Sequence, residues 1–182
     1  MAENKNEMLA CLPSIQPVAN KDLKRMASGW GNRTHPIYKT IMFHYGMDFS
    51  TPTGTPIYAT GNGKIKKVKY ARTGYGKHVI IDHGYGFETL YAHMQKYTVK
   101  KGQEVKRGEI IGYVGSTGTS VAPHLHYEVY KDGTRVNPSF YYYNDLTPSE
   151  YEKMIDKALR TADSALQQKR LEKATWFMHD NA

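Results

Sequence analysis

The chain has 182 residues, 25 Lys and Arg against 17 Asp and Glu, a formal net charge of +8 and one cysteine. That length accommodates one domain with appendages. A lone Cys11 excludes an intrachain disulfide and a thiolate metal cluster, and no run reaches the roughly 18 consecutive apolar residues of a membrane span.

Residues 1–25 read as an extended lead-in, because Pro13 and Pro17 oppose a helix there. Ile15-Gln16-Pro17-Val18 is expected to lie along the surface of the domain that follows. Leu9-Ala10-Cys11 has the outline of a lipoprotein cleavage box, but no basic start and adequate apolar run precede it, nor does residues 1–25 contain a secretory signal. Cys11 is then most simply a small apolar residue.

From Tyr38 to Tyr130 short alternating runs recur between turn signals: Pro56–Ala59, Gly63–Tyr70, His78–Asp82, Glu88–His93, Ile110–Val114 and Leu125–Tyr130. Glycines concentrate between Gly29 and Gly118. Strands at this spacing without intervening helices predict a mainly β, antiparallel sandwich or barrel. Lys64, Lys66, Lys67, Lys69 and Arg72 form the densest basic patch, but they alternate with Ile65 and Val68 as a solvated strand face does. No nucleic-acid motif accompanies them, so nucleic acid is not the expected partner. Asp132-Gly133 turns the chain and Asn137-Pro138 ends the sheet region. Thr147-Pro148-Ser149-Glu150 is a capping box with proline at the first helical position, predicting a helix from about Pro148 to Ala174. Its apolar stripe of Met154, Ile155, Ala158, Leu159, Ala162 and Leu166 suits packing rather than chemistry.

Three histidine-bearing strings stand out in order: His44-Tyr45-Gly46-Met47-Asp48, Tyr91-Ala92-His93 and Pro123-His124-Leu125-His126. His124 and His126 share one face of a strand, about 6.6 Å apart along it. One imidazole can thus bind a metal while its neighbour reaches the metal's water. His44 and Asp48 would be about 13 Å apart on a straight strand, and Gly46 permits the bend that brings both to one ion. Nitrogen and carboxylate ligands without thiolate suit zinc, and the set leaves further histidines for proton transfer. His35, His78, His83 and His179 read as non-ligands.

Residues from about Met26 to Pro138 resemble the lysostaphin/LytM-like zinc endopeptidases, which cut peptide bonds in bacterial peptidoglycan. The resemblance rests on Phe43 to Phe49 (His-x-x-x-Asp), Pro52 to Ala59, Tyr91 to His93 and Gly115 to Val129; Arg33 to Ile37 is similar to the loop walling one side of the substrate groove. Val121-Ala122 departs from the Thr-Gly of many relatives. The resemblance implies a barrel-sandwich of the duplicated hybrid motif type, one zinc per chain held by His44, Asp48 and His126, and catalytic His93 and His124. It also implies peptidoglycan peptides as the partner, with Arg33 and His35 as substrate-binding candidates. A cell-wall enzyme must be exported to the periplasm or envelope, so the chain is expected to be part of a longer protein whose export signal or envelope anchor lies elsewhere. The implied organisation is a lead-in over 1–25, a peptidase domain over 26–143, and a C-terminal α-helix and tail over 144–182. The rival of the same fold is a non-catalytic domain that binds cell wall or activates a hydrolase, but such relatives lack one or more of the five site residues, all present here. Val99, Gly102, Val105, Gly108, Ile110 and Gly112 repeat as in lipoyl and biotinyl carrier domains. No presented lysine accompanies them, so that pattern speaks to fold alone.

Overall fold

The alternating runs become strands because one face of each is apolar and finds a core. The computed structural model describes residues 2–20, 24–144, 146–150 and 152–153. In chain order these form α1 (Ala2–Cys11), β1 (Met26–Ser28), β2 (Gly31–Thr34), β3 (Ile41–His44), β4 (Met47–Ser50), β5 (Pro56–Tyr58) and β6 (Gly63–Lys69). There follow β7 (Lys77–Gly84), β8 (Phe87–Tyr97), β9 (Glu104–Val105), β10 (Ile110–Val114), β11 (His124–Lys131), β12 (Thr134–Val136) and a 3₁₀ turn over Pro138–Tyr141. All six expected strands are present, to within a few residues at their ends.

The main sheet runs β1-β4-β11-β8-β7-β6-β9, with β12 on β11 and β10 joining β8 to β5; β2 and β3 form a separate hairpin. Every pairing is antiparallel and the sheet does not close into a barrel. Phe49, Ile65, Val79, Ile81, Leu125 and Val129 supply one continuous apolar core. Tyr91 and Tyr127 lie within it, their hydroxyls satisfied by Thr60 Oγ1 at 2.9 Å. On β6 the lysines face water, and Lys66 pairs with Glu88 at 2.7 Å.

The lead-in differs from its expected form. Residues Ala2–Cys11 are helical, since Pro13 forbids helix only around its own position and the ten residues before Leu12 are mostly good helix formers. Proline ends this helix rather than preventing it. Asn62 N donates to Ala10 O at 2.9 Å, tying the helix end to the sheet. Beyond it the chain is extended, but buried rather than superficial. Ser14 N donates to Thr60 O and Tyr58 N to Pro17 O, so the segment lies against β5, and Val18 enters the core. At the other end Leu146 also joins the core, and Asn144 bonds Ser14 through backbone and side chain. Packing thus runs past the expected boundaries at both 25 and 143.

The capping box forms as read: Glu150 Oε2 accepts from Thr147 N and Oγ1 at 2.8 and 2.7 Å, and Glu150 N donates back to Thr147 Oγ1. The expected helix stripe from Met154 to Leu166, its end at Ala174, and His179 lie outside the described residues.

Candidate metal centre

Strand register builds the centre. On the β4–β11 ladder Asp48 stands directly opposite His126, and on the β11–β8 ladder His126 stands opposite Ala92. Residues opposite one another share a face. His44 arrives from the end of β3, three residues before β4 begins. Gly46 lies between them for reasons of space: a Cβ there would sit 2.6 Å from Tyr127 O and 2.8 Å from His126 Cε1. The glycine lets the His126 ring lie against the backbone that joins its two fellow candidates.

Ligand atoms from His44, Asp48 and His126 all lie within 4.8 Å of one another. Nε2 of His44 is 3.1 Å from Nδ1 of His126 and 3.2 Å from Oδ1 of Asp48, and His126 Nδ1 is 2.8 Å from the same Oδ1. Hydrogen bonds fix which nitrogen faces inward. His44 Nδ1–H donates to Gly29 O at 2.7 Å, leaving Nε2 toward the cluster. His126 Nε2–H donates to Glu128 Oε1 at 2.9 Å, leaving Nδ1. Arg33 holds the other Asp48 oxygen at 2.9 Å.

Burial opposes ionisation of Asp48, but hydrogen bonds from His126 and His44 hold its carboxyl well below the usual range. Burial likewise disfavours a charged His126, and its hydrogen bonds to Asp48 and Glu128 outweigh this, raising its pKa to about 9. A cation among the three ligand atoms supplies that positive charge in place of the Nδ1 proton, so proton and metal compete for the centre.

His124 and His126 share one face of β11, as their spacing predicted. His93 reaches that face by an irregular route. It follows Ala92, so a regular strand would send its side chain into the core beside Tyr91. Instead the β7–β8 register shifts between Lys77 and Val79, and His93 takes a left-handed φ of +60°. Such a bulge re-aims a side chain, and the His93 ring lies 4.6 Å from that of His124 and 6.0 Å from that of His126. His93 Nδ1–H donates to Thr117 O and His124 Nδ1–H to Ala122 O, both at 2.8 Å. Both Nε2 atoms therefore remain as acceptors, and that of His124 lies 4.0 Å from Asp48 Oδ1. Burial, then the neighbouring His124, lowers the His93 pKa to about 4, so it is neutral at pH 7.

The five histidine and aspartate residues open onto a cleft of about 680 Å³ walled by Ile37, Tyr38, Phe43 and Val121. Arg33 and His35 also line it, but both side chains have local work. Arg33 grips Asp48, while His35 Nδ1 accepts from the backbone of Ile37 and Tyr38 and its ring stacks on Tyr38. His78 and His83 are buried and bonded elsewhere. Sequence reasoning missed Gly29, Tyr75, Thr117, Glu128 and Arg135. Only Glu128 carried a local signal, being two residues from His126 on the same strand face.

The model of Peptidase family M23 matches residues 42–138, 97 of the 182. The chain is 47% identical over 114 residues to the DD-carboxypeptidase/endopeptidase Mpg of Neisseria meningitidis, covering 63% of this chain and 26% of that protein. Among solved structures it is similar to a zinc containing peptidase from Vibrio cholerae (40% identity, TM-score 0.58, 62% of this chain and 35% of that one). It is similar also to the catalytic domain of lysostaphin from Staphylococcus simulans (34% identity, TM-score 0.58, 66% of this chain and 95% of that one). The chain spans about a quarter of the length of the curated relatives it matches.

Proposed function

The chain belongs to peptidase family M23, and on that premise we propose that it is a zinc-dependent endopeptidase hydrolysing peptide bonds of bacterial peptidoglycan, in stem peptides or cross-links. The observation that carries this reading is the convergence of three ligand atoms within 4.8 Å, with two further imidazoles beside them. The donor set fits zinc: two imidazole nitrogens with their tautomers fixed by hydrogen bonds, and one ionised carboxylate. One zinc per chain is assigned to His44, Asp48 and His126. Bound there, it supplies Lewis acidity that polarises a scissile carbonyl and lowers the pKa of a water toward about 7.

His93 and His124 carry the proton chemistry. Each keeps an Nε2 acceptor while a main-chain carbonyl holds its Nδ1–H. Between them they divide two duties, taking the proton of the attacking water and stabilising the oxyanion that forms on the substrate. His93 is neutral at pH 7, as a proton acceptor must be. Arg33 and His35 form the wall against which the peptide lies, and the apolar residues of the cleft exclude water from its flanks. A peptidoglycan substrate implies action outside the cytoplasm, in the periplasm or envelope. Among the described residues no helix is long and apolar enough to cross a membrane.

The test is digestion of purified peptidoglycan by the zinc-loaded protein, with and without a chelator, and mass spectrometry of the products. New peptide termini that vanish with chelation support the reading. A folded, zinc-loaded protein that leaves peptidoglycan and its isolated cross-linked peptides intact overturns it.

A further inference from the structure

Behind His126, on the side away from Asp48, lies a buried carboxylate that the chemistry above does not use. Glu128 is 2% exposed, and both its oxygens are fully engaged. Oε1 accepts from His126 Nε2–H at 2.9 Å and from the Tyr75 hydroxyl at 2.6 Å. Oε2 accepts from the Tyr130 hydroxyl at 2.5 Å and from Arg135 Nε at 2.8 Å. Arg135 also donates to the Tyr75 hydroxyl at 3.1 Å, and the Tyr75 ring stacks on that of His126, 5.8 Å between centroids and 26° between planes.

We propose that Glu128 is the positioning residue of the metal site: it accepts the hydrogen bond of His126 Nε2–H and so turns the Nδ1 lone pair onto the point shared with His44 Nε2 and Asp48 Oδ1. The inference rests on the zinc reading above. An isolated imidazole can place its proton on either nitrogen and can spin about its Cβ–Cγ bond. Here the carboxylate removes the first freedom, and the stacked Tyr75 ring removes much of the second. Glu128 cannot swing away, because Tyr75, Tyr130 and Arg135 hold it from three directions. Arg135 balances its charge, so the buried carboxylate is compensated without drawing on the metal. The arrangement raises the basicity of the Nδ1 lone pair and fixes its direction before any cation arrives. His44 is oriented more weakly, by a neutral carbonyl, so of the two imidazole ligands His126 is the one whose donor strength depends on a charged partner.

The inference is tested by zinc affinity, measured by competition with a chelating indicator at a temperature where every variant is folded. Glu128→Gln should bind zinc roughly 10- to 100-fold more weakly than wild type. Glu88→Gln, which removes a carboxylate from the same sheet face-on to Lys66, should leave affinity unchanged. Cobalt-substituted Glu128→Gln should show a shifted visible absorption spectrum, a change that mere loss of stability does not produce. Should Glu128→Gln fail to fold, wild type alone decides: nitrogen-15 spectra of its histidines in the zinc-loaded state should show His126 protonated on Nε2, with that proton slow to exchange. Equal affinity in Glu128→Gln and wild type, equal weakening in Glu88→Gln, or a His126 proton on Nδ1 would overturn the inference. Wild type that binds no zinc overturns the metal reading instead.

Discussion

The Nδ1–H of His93 donates to the carbonyl of Thr117 at 2.8 Å, joining the bulge on β8 to a loop 24 residues onward. The same loop is locked at both ends: Thr117 Oγ1 donates to Met94 O and accepts from Lys77 N, while Thr119 and Gly74 exchange hydrogen bonds. His93 N also donates to Tyr75 O at 2.8 Å. Its left-handed backbone is therefore held from two loops, as a strained functional residue requires.

That locking gives a first expected outcome. Gly76 has φ +62°, and a Cβ there would meet the Thr117 carbonyl carbon at 2.4 Å. Gly76→Ala should push the two loops apart and displace His93 without touching a metal ligand. Zinc content should stay at the wild-type level while peptidoglycan hydrolysis falls by roughly 100-fold, the usual effect of misplacing a reacting group by about 1 Å. An unchanged rate would show that the loop contact does not set the His93 position.

His126→Ala and Asp48→Ala should each abolish stoichiometric zinc at neutral pH, because two protein ligands make a poor site. Metal analysis of the purified variants checks this. Full zinc in either variant refutes the ligand assignment.

His93→Ala and His124→Ala should keep zinc, since neither supplies one of the three converging ligand atoms. Each should lose a factor of about 10² to 10⁴ in hydrolytic rate, the typical contribution of a proton-transfer or oxyanion-stabilising group. A variant digesting peptidoglycan at nearly the wild-type rate would remove that residue from the chemistry.

Acid should destabilise the fold through His83. This imidazole is buried, with Nδ1 2.7 Å from Asn62 O and Nε2 2.8 Å from Thr89 Oγ1, and burial keeps it neutral. Burial lowers its pKa to about 4 from an ordinary 6.5. Between those values the unfolded chain binds the extra proton, so stability rises with pH there and is lost as pH falls from about 6.5 to 4. The slope is about 1.4 kcal/mol per pH unit for one such group. Urea unfolding of wild type and His83→Gln in chelator, at steps across that window, should give curves whose difference carries this slope. Parallel curves would contradict a neutral buried His83.

Much of the architecture was legible because it is written locally. Short runs of apolar and β-branched residues between turn signals mark β5, β6, β7, β8, β10 and β11, although β8 and β11 are buried on both faces. The strand period of two puts His124, His126 and Glu128 on one side of β11. The Thr147–Glu150 box spans a single helical turn, so its two residues found each other without help from the rest of the fold. The short strands β1 to β4, β9 and β12 were not legible, because two to four residues carry too little pattern and exist only through their partners. Nor was the N-terminal helix, whose residues stand just ahead of the helix-breaking Pro13 and Pro17.

By itself the sequence determined which residue types are present, where the six longer-patterned strands form and which of their side chains share a face, because these follow from chain geometry over a few residues. Only the tertiary structure decided that β11 lies between β4 and β8, so that Asp48 faces His126. It also decided that a bulge turns His93 out of the core, that Gly46 makes room for the His126 ring, and that Glu128 meets Tyr75 and Arg135 behind it. Those relations join residues up to 80 or so positions apart in the chain, and their register is fixed by the packing of the whole core. No local pattern encodes it.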